Sequence, residues 1–89
     1  MNEAFRWNDW NVDHIALHGL WSNEAEHVVL DASRPYPEKI GRGKWMVRGQ
    51  APGGRYIQVV FVIEDDCYYV IHARPLREHE KRQFRRRRK

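Results

Sequence analysis

Arg55 to Glu64 is the most apolar stretch of the chain, and Val59-Val60-Phe61-Val62-Ile63 loads both faces of an extended segment at once. A strand with that pattern must be covered on both sides, so it is expected at the centre of a sheet. Asp65-Asp66 then reads as a tight two-residue turn into a second strand over Cys67 to Arg74, rich in Tyr, Val and Ile. With that turn, Glu64 is expected to face Cys67, Val59 to face His72, and Ile57 to face Arg74. Upstream, Lys44 to Gln50 alternates as a strand and Ala51-Pro52-Gly53-Gly54 turns the chain. Glu38 to Gly43 reads as a polar loop. The two prolines in Ser33 to Pro37 allow at most a short edge strand there.

The first third has helical spacing. Phe5-Arg6-Trp7 fits a short opening strand, after which Trp7, Trp10, His14 and Leu17 fall at i, i+3, i+7 and i+10. A helix over Asn8 to His18 follows, closed by Gly19 in the left-handed position and by a histidine at the negative end of the dipole. A second helix is expected over Asn23 to Asp31. There Asn23 and Glu26 form a capping-box variant, and Ala25, Val28, Val29 and Ala32 form one apolar face. Pro75 is expected to stop the sheet and to sit in the first turn of a last helix, Leu76 to Arg86, anchored by Leu76 and Phe84. The predicted class is α+β: two N-terminal helices, a three- to four-stranded antiparallel sheet and a C-terminal helix. Eighty-nine residues make one expected domain.

Charge changes the picture at one end. The net +4 is the sum of unlike parts, because residues 74–89 hold nine Lys and Arg against Glu78 and Glu80, a net of +7, leaving −3 for residues 1–73. Such a split fits an anionic partner for the C-terminal end, or a solvated tail, and Arg85 to Lys89 is read as a disordered basic tail. The lone Cys67 has no partner for an internal disulfide. No apolar run approaches the length of a membrane span, and Met1 to Ala4 lacks the order of a signal peptide. A soluble protein of the reducing cytoplasm, without a membrane partner, is the expectation.

Alternation puts Lys44, Met46, Arg48 and Gln50 on one face of their strand, and Tyr68, Val70, His72 and Arg74 on one face of theirs. A cationic surface of Lys44, Arg48, Arg55, His72 and Arg74 suits a phosphodiester, since guanidinium forks match phosphate oxygens and imidazole exchanges protons near neutrality. An ordinary polar sheet face fits the same residues. His14 and His18 have the i, i+4 spacing of a metal pair, but no HExxH glutamate or third ligand accompanies them, so no metal site is expected. Trp7, Trp10, Trp21 and Trp45 are read as core side chains rather than as base-stacking platforms.

Several phrases occur in the order found in the BrnT toxins. Phe5-x-Trp7-Asn8 with a helix ending in His18-Gly19 resembles their opening. Asn23-Glu24-Ala25-Glu26-His27-Val28-Val29 is similar to their second helix. Val47-Arg48-Gly49 and Gly54-Arg55-Tyr56-Ile57-Gln58-Val59-Val60 resemble their central strands, and His72-Ala73-Arg74-Pro75-Leu76-Arg77-Glu78-His79-Glu80-Lys81 their close. The resemblance implies a RelE-like fold and a metal-independent endoribonuclease without cofactor, the toxin of a type II toxin–antitoxin pair. It also implies a ribbon-helix-helix antitoxin of the BrnA kind as partner, with operator DNA bound through the complex. On that basis Arg74 and Arg55 hold the phosphate, Lys44 or Arg48 adds charge, and His72 or Glu38 transfers protons. Arg77, Lys81 and Arg82 bind the RNA. This chain departs from the family in having Gln50 where a charged residue is common, His72 for serine, and Lys81 for the arginine of a Glu-Arg pair. The competing expectation is a non-catalytic module that binds nucleic acid or an acidic protein through residues 74–89.

Overall fold

The structure, a computed structural model, describes residues 3–87. Its elements are α1 (Asp9–Ala16), α2 (Ser22–Leu30), β1 (Glu38–Gly41), β2 (Lys44–Gln50), β3 (Tyr56–Glu64), β4 (Cys67–Pro75) and α3 (Glu78–Arg87). The strands form one antiparallel sheet in the order β1-β2-β3-β4. The α+β arrangement read from the sequence is therefore the one observed. Among the described residues no helix is long and apolar enough to cross a membrane.

The β3–β4 hairpin forms where expected. Asp65 and Asp66 take φ of 51° and 61°, the paired left-handed geometry that matches the twist of two joined strands. Glu64 pairs with Cys67 as predicted, but further along the register departs from the expectation. A bulge lies between the Phe61–Val70 and Val60–His72 pairs, so Ile71 is the extra residue. Val59 consequently faces Ala73, not His72, and Arg74 faces Gln58, not Ile57. The bulge also splits the face assigned to β4. Val70 sides with Phe61, whereas His72 and Arg74 side with Val60 and Gln58.

The two sheet faces have different covers. Val47, Ile57, Val59 and Ala73, all fully buried, lie by register on the face that receives α2. Gly49 lets β2 pass beneath that helix, since a Cβ there would stand 3.1 Å from Val28 Cγ1. The opposite face carries α3, whose Phe84 ring meets Tyr56 and Tyr36 at 5.8 and 6.1 Å. Helix α3 begins two residues later than expected, because Pro75 still pairs with Ile57 and Leu76 N–H donates to Tyr56 O. It runs on through Arg87, so Arg85 to Arg87 are helical rather than a disordered tail. Arg88 and Lys89 lie outside the described residues. Glu38 to Gly41, read as loop, is the outer strand β1. Its side chains are largely exposed, so no apolar alternation marks it.

Helix α1 differs from its sequence pattern. Asn11 and Ile15 are its buried residues, while Trp10 is 54% and Leu17 80% exposed. The cause is a reciprocal cap: Asn8 N–H donates to Asn11 Oδ1, and Asn11 N–H donates to Asn8 Oδ1. Asn11 Nδ2 also donates to Arg6 O at 3.1 Å. Asn11 thereby ties α1 to the segment whose Phe5 bridges Tyr68 in parallel. Asn11→Ala would remove both bonds of this buried side chain and is expected to lower unfolding free energy by about 1–3 kcal/mol, measured by urea denaturation. In α2 the Asn23–Glu26 cap is replaced by Trp21 N–H donating to the Glu24 carboxylate at 2.9 Å. Glu26 accepts from Trp7 Nε1 instead, and the expected Ala25, Val28 and Val29 face is buried.

Candidate functional site

The β4 bulge and the turn of α1 bring three histidines together. His14 and His18 lie one helical turn apart, and the His72 ring stands 5.9 Å from the first and 5.3 Å from the second, centroid to centroid, both edge-on. Burial and the neighbouring His18, His14 and Arg74 all push the His72 pKa below its ordinary 6.5, which keeps the ring neutral at physiological pH. Among the described residues no set of three or more His, Cys, Asp and Glu has the geometry to hold a metal ion.

Aromatic rings extend this site along α1. Trp10 stacks on His14 at 4.8 Å with only 8° between planes, and lies 6.4 Å from Tyr69. Tyr69 is held by Asn8 through its hydroxyl and carries the Arg6 guanidinium over its ring at 5.5 Å. Trp10 and the 72%-exposed Trp21 are therefore outside the core in which the sequence placed them; Trp7 and Trp45 pack against that core. Asp9, Trp10, Asp13, His14 and Leu17 line a shallow outer groove of about 410 Å³.

The basic residues do not form one surface. Arg48 and Arg74 meet beneath α3, where both are bound by Glu80. Arg74 Nη1 and Nη2 donate to the two carboxylate oxygens at 2.8 Å each, and Arg48 Nη2 donates at 3.2 Å. Arg77 N–H adds a fourth bond at 2.8 Å, the return half of a capping box at the start of α3. Arg48 also donates to Gln58 and Gln83. Glu80 is 5% exposed, and its hydrogen bonds from Arg74 outweigh burial and hold its pKa down at about 2.

The remaining expected site residues lie elsewhere. Arg55 is tied to Glu24 of α2 and to Gly19 O, next to His18 in the turn after α1, and Glu38 pairs with Arg87 at 2.7 Å. Lys44 is exposed at the start of β2. Arg77, just before α3, and Arg82 on it are exposed, and the half-buried Lys81 pairs with Glu78. Of the residues singled out from sequence, Arg48 with Arg74 form one group, and His72 is the only member at the histidine cluster. His14, His18 and Trp10 were missed as site residues. Their signal was present in the i, i+4 histidine spacing, but nothing in that spacing tells which side of the helix faces out.

A scan against protein-family models and searches of curated proteins and of solved structures return no match to this chain.

Proposed function

We propose that this chain is a BrnT-like toxin, a metal-independent endoribonuclease acting through His72. The gathering of His14, His18 and His72 beside the exposed Trp10 ring carries the reading. RNA supplies its own nucleophile, so the protein must only orient a phosphodiester, move two protons and stabilise charge. Neutral His72 takes the 2′-OH proton as O2′ bonds to phosphorus. A protonated ring, His14 or His18, gives a proton to the departing O5′ as the P–O5′ bond breaks. The products are a 2′,3′-cyclic phosphate and a free 5′-OH. Exposed cations on and just before α3, Arg77 and Arg82 among them, draw the RNA backbone in.

In this reading the charge of Arg74 acts on His72 and Arg55, bound to Gly19 O, stands beside His18, while Lys44 and Glu38 are too dispersed to act in the same step. The resemblance supports a ribbon-helix-helix antitoxin as neutralising partner, operator DNA as the target of that complex, and a cytoplasmic setting. Purified protein should cut single-stranded RNA in excess EDTA and leave cyclic phosphate ends, detected by mass spectrometry of the fragments. RNA left whole, free or on ribosomes, would sink the proposal. RNA binding that weakens steeply with salt, without cleavage, would favour a non-catalytic binding module built on α3.

A further inference from the structure

Glu80 sits in a donor set that is unusual for a carboxylate holding down a surface helix. Two guanidinia and one main-chain N–H converge on its two oxygens, which is the chemistry with which proteins hold a phosphate. Gln58 stands against Arg48 at 3.0 Å. The buried Tyr36 hydroxyl lies where the Arg48 and Arg87 guanidinia act on it. The space beneath α3 thus holds two cations, an amide and a hydroxyl, with one of the two charges balanced by a side chain of the helix above.

That helix is held mainly by polar and ring contacts rather than by an apolar face. Only Glu80 and Phe84 of α3 are buried, helped by the Arg87–Glu38 pair at the rim. His79, Arg82 and Arg86 face outward, while Gln83 accepts from Arg48 and the Arg85 guanidinium lies over the Tyr56 ring at 5.1 Å. A phosphodiester carries the same single charge as Glu80, so exchanging one for the other leaves the charge under the helix unchanged. The further phosphates of an RNA strand would then meet the exposed arginines of α3, which Glu80 cannot do.

We propose that the Arg48–Arg74 pair is a phosphate-binding site occupied in the free protein by Glu80, and that α3 is a cover which single-stranded RNA displaces. This rests on the RNA reading above, and it places the opened phosphate site next to His72, whose ring already feels Arg74. The test is hydrogen exchange of the wild-type protein with and without a 2′-O-methyl oligoribonucleotide, which lacks the nucleophile and cannot be cut. Amides of residues 81–87 are expected to exchange at least tenfold faster in the complex, while those of β2 to β4 do not change. Glu80→Gln, which removes the competing charge, should bind the same oligonucleotide at least tenfold more tightly at equal salt. If that variant does not fold, the wild-type exchange decides alone. Helix amides that are unchanged or slower in the complex overturn the proposal, as does failure of the oligonucleotide to bind. Released helix amides without cleavage of ordinary RNA would refute the nuclease and leave the displaceable cover standing. Cleavage with α3 still protected would do the reverse.

Discussion

Glu80→Ala is expected to lower the unfolding free energy by about 3–5 kcal/mol, the cost of leaving a buried charge without its partner. Arg74 has side-chain exposure of 19% and Arg48 of 14%, so neither reaches enough water to replace the lost carboxylate. The effect belongs to the broken pair rather than to any general worth of buried ions. Accordingly the double variant Arg74→Met with Glu80→Leu should recover part of the loss, because only Arg48 is then left without the carboxylate and it keeps Gln58 and Gln83. A double variant as unstable as Glu80→Ala would contradict this account.

The same carboxylate gives an acid signature. Its folded pKa of about 2 lies below the ordinary 4.5, so its contribution is complete above about pH 4.5 and is lost as the pH falls through about 2. Urea midpoints between pH 5 and pH 2 should fall in the wild type, and less steeply in the double variant.

His72→Ala is expected to slow RNA cleavage by about 10²- to 10⁴-fold, the usual range for removing a positioned proton-transfer group, with the fold intact by circular dichroism. The pH profile separates a proton-transfer role from a structural one. His72 titrates below 6.5 because burial, His18, His14 and Arg74 all disfavour its charged form. If the neutral ring is the base, the rate declines on the acid side, below that lowered pKa. Replacing His18 or His14 by glutamine removes a neighbour that depresses His72, so the acid limb should move to higher pH while the protein stays folded. A limb that does not move in either variant would mean that the rings do not act on one another.

The elements were legible where one physical demand dominated the local sequence. The β3 run could only be a strand covered on both sides, and Ala25, Val28 and Val29 could only face a core. The two aspartates between strands left one economical turn. What was not legible depended on partners distant in the chain. Trp10 and Leu17 share a helical stripe, but the polar Asn11 occupies the interior because it caps its own helix and holds Arg6 O. The bulge at Ile71 has no signature in a run of apolar residues, yet it decides which face His72 and Arg74 occupy. Arg74 was read as free to meet a phosphate because its partner, Glu80, lies in a helix that the charge balance marked only as basic.

The N-terminal segment closes one margin of the sheet, where Phe5 bridges Tyr68 and Arg6 pairs with Glu64. The other margin, β1, keeps an outward row of main-chain donors and acceptors that another strand could match. Four residues, an irregular register between Lys39 and Gly41, and the adjoining Lys39 and Arg42 charges make it a poor template. A chain with 51%-exposed Ile40 on that border thus has a built-in brake on sheet-to-sheet polymerisation in those few border residues.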